Sequence, residues 1–240
     1  MVDLEKLLEL FECDTPENWS AAMLDIIQCS GFSHALYGII PSKTMPFETA
    51  FLKSNYPEQW RKTYDKSQYH YVDPVVLHCL TSTLPIAWDA NAFQGREQQE
   101  FYEQASGYGL RSGISFPVRG ALGEFGMLSF VNSETNPPDS DAPYEALARL
   151  ALIRDYVLES SIKFLHAADS TNAVPRLTPR ELECLKWVMA GKSSWEISQI
   201  LRCSEATINF HVSNLKKKFN VRTRQQAVVK AIKERLIVPG

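Results

Sequence analysis

No apolar run in this 240-residue chain approaches the roughly 20 residues that a membrane-spanning helix needs. The opening stretch, MVDLEKLLEL, carries acids where a secretory leader would carry bases, so neither export nor a membrane association is expected. Cysteine is sparse and odd in number: Cys13, Cys29, Cys79, Cys184 and Cys203, with no two spaced as CxxC. That excludes a disulfide framework and predicts buried, reduced thiols in a cytoplasmic setting. GxSxG, HExxH and HxH are all missing. His70, His78 and Cys79 stand close together without ligand spacing and read as structural, so no metal, no cofactor and no catalytic residue is expected. There are no internal repeats and no low-complexity block.

What is present is ordinary in bulk and uneven in charge. Apolar residues make up 45% and charged residues 22%, as in soluble globular proteins. The net charge of -3 divides sharply: 12 Lys+Arg against 23 Asp+Glu through Asp169 (-11), then 13 against 5 from Ser170 (+8). An acidic body with a basic tail domain predicts that only the tail meets a polyanion.

Hydrophobic periodicity and turn residues divide the body into helices and strands. Asp3 can cap a helix bearing Leu4, Leu7, Leu8 and Phe11, and Thr15-Pro16 opens a second that buries Trp19, Met23, Ile26 and Ile27. Strands are expected at 33–40, 48–54 and 84–88, with a hairpin of 113–120 and 123–132. Helices are expected at 57–68, 74–80, 94–109 and 144–166. The polar, Pro-rich stretch 132–143 is a loop, and 167–176 is a linker. The resulting architecture is a two-domain α+β chain whose N-terminal domain (1–166) is an α-β-α sandwich on an antiparallel sheet. An all-α four-helix domain with a helix-turn-helix occupies 177–240.

In that tail, Thr178-Pro179-Arg180-Glu181 and Ser193-Ser194-Trp195-Glu196 are capping boxes, and Ser204 caps a third helix after the turn Arg202-Cys203-Ser204. Ile208, Val212, Leu215 and Phe219 form one apolar stripe. The opposite face carries Thr207, Asn209, Phe210, Ser213, Asn214 and Lys217. A solvated Lys-rich helix end would explain the cations alone. The capped helices, the turn and the charge together favour double-stranded DNA, with Phe210 against a thymine methyl or sugar. Lys216, Lys217, Lys218, Arg222 and Arg224 are the expected phosphate contacts. A fourth helix, over 224–238, has a stripe available for packing.

In the body, YVDPVV (71–76) holds a carboxylate among apolar residues, downstream of Tyr56, Trp60, Tyr64 and Tyr69. A buried carboxylate needs a donor. An Asp-Pro pair is commonly a helix cap, and aromatic clusters are commonly core, so residue chemistry alone leaves the role of Asp73 open.

The stretch LTPRELECLKWVMAGKSSWEISQILRCSEATINFHVSNLKKKFNV resembles the DNA-binding domain of LuxR-type regulators, with Glu181, Leu185, Gly191, Thr207, Ile208, His211 and Asn214 on recurring positions. NYPEQWRKTY, VDP and PIAW resemble the autoinducer-binding domain of the quorum-sensing members, through Trp60, Tyr64, Asp73, Pro74, Trp88 and Gly113, and most nearly the LasR-like branch. The resemblance implies an N-acyl-homoserine lactone ligand. Asp73 would accept the ligand amide, Trp60 would donate to the lactone carbonyl, and Tyr56 and Ser129 would meet the acyl carbonyl. Tyr64, Trp88 and Phe101 would wall the ring, and Arg61 would hold a 3-oxo group. Leu36, Gly38, Ala50, Val76 and Gly126 would line or make room for a medium-to-long tail. Val75 stands where that branch offers a hydroxyl, and Phe125 and Met127 are bulkier than its widest pockets.

The same resemblance implies a ligand-dependent activator that homodimerises through the 144–166 helix, grips a pseudo-palindromic operator and works with RNA polymerase. Three alternatives compete. A phosphorylation-driven regulator lacks its acid pair and phosphoacceptor, and a lactonase or acylase lacks a catalytic motif. An orphan receptor for another small molecule, or one that folds without a ligand, stays open.

Overall fold

The computed structural model describes residues 4–42, 45–121, 123–134, 143–167, 175, 177–234 and 236–237. The chain divides into two compact units, 1–169 and 170–240. Most of the expected linker (168–174 and 176), the Asp3 cap and residues 135–142 of the expected loop lie outside the described residues.

In the first unit the order is α1 (Leu4–Glu12), α2 (Pro16–Cys29), β1 (His34–Ile40), β2 (Phe51–Ser54), α3 (Glu58–Lys66), α4 (Pro74–Thr81), β3 (Ile86–Trp88), α5 (Arg96–Gly107), β4 (Ser112–Arg119), β5 (Phe125–Asn132) and α6 (Pro143–Ala167). The strands form one antiparallel sheet in the order β2-β1-β5-β4-β3. Side chains alternate across it. Tyr37, Ile39, Phe116, Val118, Leu128 and Phe130 face a closed core built with α1, α2 and α6. The indole of Trp19 donates to Ser160 (2.8 Å) and the hydroxyl of Tyr37 meets Ser161 (2.7 Å), which fixes α6 against that face. On the other face α3, α4 and α5 bring Trp60, Val75 and Phe101 over β5, and the loop before α5 adds Phe93. This is the expected α-β-α sandwich.

Three boundaries differ from expectation, each for a local reason. The 48–54 strand begins only at Phe51, because Phe47–Thr49 closes a 3-10 turn in which Thr49 donates to the Pro46 carbonyl at 2.7 Å. The 84–88 strand begins at Ile86, since the Leu84 amide is taken by Ser82 (3.0 Å) and Pro85 has no N–H to give. The last helix ends at Lys233, where the Leu236 amide turns back to Ala231 (2.9 Å). The thiols are less uniformly buried than expected: Cys79 and Cys184 are buried, whereas Cys29 is exposed beside Lys6 (3.5 Å).

The second unit contains α7 (Pro179–Met189), α8 (Ser194–Leu201), α9 (Glu205–Lys218) and α10 (Arg224–Lys233). Both expected capping boxes form, and Thr223 with Gln226 makes a third, unexpected one. Leu185, Ile197, Ile208, Leu215, Phe219 and Ala231 close its core.

Candidate functional site

The helical layer over α3, α4 and α5 does not seal against the sheet. It leaves a cavity of about 170 Å³ lined by all thirteen residues expected at a ligand site: Leu36, Gly38, Ala50, Tyr56, Trp60, Arg61, Tyr64, Asp73, Val76, Trp88, Phe101, Gly126 and Ser129. Its polar groups gather at one end. Asp73 is the N-cap of α4: Oδ1 accepts the amides of Val75 (2.9 Å) and Val76 (3.4 Å), while Oδ2 accepts the hydroxyl of Tyr64 (3.2 Å). Capping and site readings of Asp73 are therefore compatible. A carboxylate has about four acceptor positions, so three donors leave one for an occupant. Burial pushes this carboxyl up to about 6, against the pull of those three hydrogen bonds.

Around it, Trp60 is 2% exposed and packs against Phe101 and Tyr108 (both 5.6 Å between centroids) and Tyr69 (5.9 Å). Its indole N–H makes no hydrogen bond among the described residues. Trp88 donates to Ser115 (3.0 Å), which in turn meets Ser129 (2.8 Å). Because an indole only donates, this chain can leave the Ser129 proton free for Tyr56 or an occupant. Burial raises the Tyr56 phenol above its ordinary value, with Ser129 opposing. Arg61 pairs with Asp65 (2.8 Å) and lies over the Tyr64 ring.

Two glycines owe their identity to packing. A Cβ at Gly113 would strike the Phe130 carbonyl of the neighbouring strand (2.5 Å) and Trp88 (2.7 Å), so glycine there lets both the strand and the indole approach. A Cβ at Gly126 would strike the Gly38 carbonyl, so its missing side chain makes room for β1 rather than for an occupant. Sequence reasoning missed Phe93, Tyr102 and Leu110 in the wall, Cys79 and Leu80 on α4, and Phe47 with His70 beside them. Helical spacing from Val76 would have found Cys79 and Leu80. Burial pushes the Cys79 thiol up to about 12, and no group of three or more His, Cys, Asp or Glu that could hold a metal ion occurs among the described residues.

In the second unit α8, the left-handed turn at Arg202 and α9 make a helix-turn-helix. Ile208, Val212, Leu215 and Phe219 are buried, as expected. Thr207, Asn209, Phe210, Lys217 and Arg222 are exposed, with Phe210 at 62%, and Ser213 and Asn214 are half-buried. Thr207 shares its hydroxyl with the cap Ser204 (2.8 Å). Two of the expected phosphate contacts also have partners within the domain: Lys218 pairs with buried Glu181 (2.6 Å), and Arg224 reaches the Lys192 carbonyl (3.4 Å). Burial opposes ionisation of Glu181, but hydrogen bonds from Lys218 and Thr178 keep its carboxyl below the ordinary value.

A small-molecule cavity in one unit and a helix-turn-helix in the other define a ligand-responsive transcriptional regulator. Residues 15–161 match the autoinducer binding domain, and residues 175–231 match the luxR family of bacterial regulatory proteins. The chain is 36% identical over 204 residues to the transcriptional activator VanR of Vibrio anguillarum, covering 84% of this chain and 83% of that protein. It is 32% identical over 233 residues to LuxR of Aliivibrio fischeri (95% and 92%). Escherichia coli SdiA has the same fold, with a TM-score of 0.71 and 28% identity over 98% and 97% of the two chains. SdiA in complex with octanoyl-rac-glycerol matches equally well, at 0.71 and 27% identity over 95% and 92%. The protein belongs to the LuxR family of transcriptional activators and is not an enzyme. No helix among the described residues is long and apolar enough to cross a membrane.

Proposed function

We propose that the chain is an N-acyl-homoserine lactone receptor that homodimerises through its 144–166 helix and binds a pseudo-palindromic promoter site. In this reading residues 1–166 bind the ligand and dimerise, 167–176 link, and 177–240 bind DNA. The protein works in the cytoplasm and engages RNA polymerase to activate transcription of quorum-sensing genes.

One observation carries the choice of ligand: a carboxylate with one vacant acceptor position and an indole N–H with no hydrogen bond among the described residues line one cavity, linked by Tyr64, which packs on Trp60 (6.1 Å) and donates to Asp73. An acylated lactone presents the complementary set, an amide donor, a ring carbonyl and an apolar tail. The ligand amide takes the remaining acceptor position on Asp73, and its ring carbonyl accepts from Trp60. Its acyl carbonyl meets Tyr56 and Ser129, and a 3-oxo oxygen lies toward Arg61. Thr207, Asn209, Phe210, Ser213, Asn214, Lys217 and Arg222 face DNA, and two heads on one dimer read half-sites about one helical turn, or a multiple of it, apart.

The octanoylglycerol complex of SdiA favours a second reading, a receptor tuned to an acylglycerol. Native mass spectrometry of the full chain, expressed with a mixture of acyl lactones, separates these readings. A retained intact lactone on a dimer supports the first, and a ligand-free or acylglycerol-loaded protein overturns it.

A further inference from the structure

Arg119 ends β4 directly across from Phe125, the first residue of β5. Its guanidinium lies 3.9 Å from the centre of the Phe125 ring. The same group donates to the carbonyls of Cys79 and Ser82 (2.9 Å to Ser82), at the C-terminal end of α4, and to Val118 (2.8 Å) and Gly126 (3.4 Å). A planar cation with five donors suits this place: it satisfies orphan helix-end carbonyls, complements the helix dipole and stacks on an aromatic ring. One side chain thus joins the sheet hairpin to the helix that also carries Asp73.

The position matters because of where Phe125 stands. Ser129, Met127 and Phe125 all line the cavity from alternate positions of β5, facing Leu36, Gly38 and Ile40 of β1. Ser129 stands beside Tyr56 among the polar groups, and Phe125 is the last lining residue along the strand in the other direction. Four residues at about 3.3 Å each put these two roughly 13 Å apart. An extended alkyl chain with bonds of about 1.5 Å and near-tetrahedral angles advances about 1.25 Å per carbon, so about eight to ten carbons fit once ring thickness is allowed.

We infer that Arg119 is a positioning residue that holds Phe125 as the end wall of the cavity and thereby limits the occupant to a medium acyl chain. This rests on the acyl-lactone reading above. Removing the guanidinium frees the Phe125 ring and the last turn of α4 together, and the cavity then extends toward the hairpin.

The test is native mass spectrometry of the full chain expressed with equimolar N-hexanoyl-, N-octanoyl-, N-decanoyl- and N-dodecanoyl-homoserine lactone, read as the ratio of dodecanoyl to octanoyl bound. The unsubstituted chain should retain mainly octanoyl and decanoyl ligands. Phe125→Ala and Arg119→Ala should each raise the ratio tenfold or more. Arg119→Lys keeps the charge but not the flat stack, and should raise it about threefold. That variant decides the matter where Arg119→Ala does not accumulate. A ratio unchanged in both Arg119 variants, whatever the total occupancy, overturns the inference and leaves Arg119 a structural staple. A Phe125→Ala ratio that does not move overturns the end wall itself. If the unsubstituted chain retains none of the four lactones, the receptor reading fails first.

Discussion

Asp73→Asn should make the unliganded protein more stable and the liganded one less responsive. The Asp73 carboxyl is 9% exposed, and its pKa rises from 3.8 to about 6 through burial. Roughly two units at 1.36 kcal/mol each give about 3 kcal/mol of destabilisation from keeping it ionised near pH 7.5. Asparagine caps α4 as well as aspartate does. The bond from Tyr64 changes character, at a cost of about 1 kcal/mol. The net is a gain of about 1–2 kcal/mol, or a few degrees in Tm. The ligand amide meanwhile loses a charge-assisted bond worth about 1.5–3 kcal/mol, which weakens binding by about ten- to a hundredfold. Differential scanning fluorimetry of the full chain, with and without N-decanoyl-homoserine lactone, reads both terms. The pH dependence supplies an internal check. Because the folded pKa lies above the unfolded one, the native state holds a proton that the unfolded chain has released between pH 4 and 6. The Asp73 contribution to unliganded stability therefore falls as pH rises through that window and is constant above it. Ligand affinity runs the other way, dropping as pH falls below 6 and the carboxylate is lost. Both contributions should be lost in Asp73→Asn, read as the difference between the unsubstituted chain and the variant at each pH. A variant with a lower unliganded Tm and an undiminished ligand shift would refute this reasoning.

Trp60→Phe keeps the packed ring but removes the free indole N–H, so lactone affinity should drop about tenfold with little change in unliganded Tm. An unchanged affinity would remove Trp60 from the lactone contact. Lys217→Ala should weaken DNA binding and reduce the slope of log K against log salt by about 0.9, measured by fluorescence anisotropy. An unchanged slope places this cation off the phosphates. Glu181→Ala removes a capping box and strands Lys218, costing the C-terminal domain about 1–3 kcal/mol in denaturant titrations, with the salt slope intact. A steeper slope would instead show the freed Lys218 reaching a phosphate.

The helix-turn-helix was legible because its signals are local. A Ser or Thr followed three residues later by Glu specifies a cap without any tertiary information, and the stripe from Ile208 to Phe219 names its own core. The sandwich was legible at the level of elements for the same reason. Strand 48–54 and strand 84–88 were misjudged where a side-chain bond within four residues competes with the ladder. At the cavity, the thirteen residues given by resemblance do converge, yet the wall residues Phe93, Tyr102 and Leu110 went unseen. Nothing in a linear pattern says which of two apolar faces of a sheet is closed and which is left open. The ion pair of Lys218 went unseen for a related reason. Three adjacent lysines look alike in sequence, and only the fold brings Glu181 within 2.6 Å of one of them.

The two faces of the sheet explain how ligand and fold can be coupled without the whole domain depending on the ligand. The face toward α1, α2 and α6 is a continuous core, tied by the Trp19–Ser160 and Tyr37–Ser161 bonds. The face toward α3, α4 and α5 encloses both the cavity and the buried, raised Asp73 carboxyl. Local opening should therefore concentrate on α3 to α5, where apolar packing is incomplete. A ligand that fills the cavity and donates to Asp73 acts on that half alone, adding about 2.7 kcal/mol at a hundred times its Kd. That is comparable to the roughly 3 kcal/mol held against the unliganded carboxylate. Amide exchange should accordingly slow on binding in α3, α4 and α5, and hardly at all in α2 or in the core-facing part of α6. Equal protection on both faces would mean that the sheet responds as one unit and that the division argued here has no energetic content.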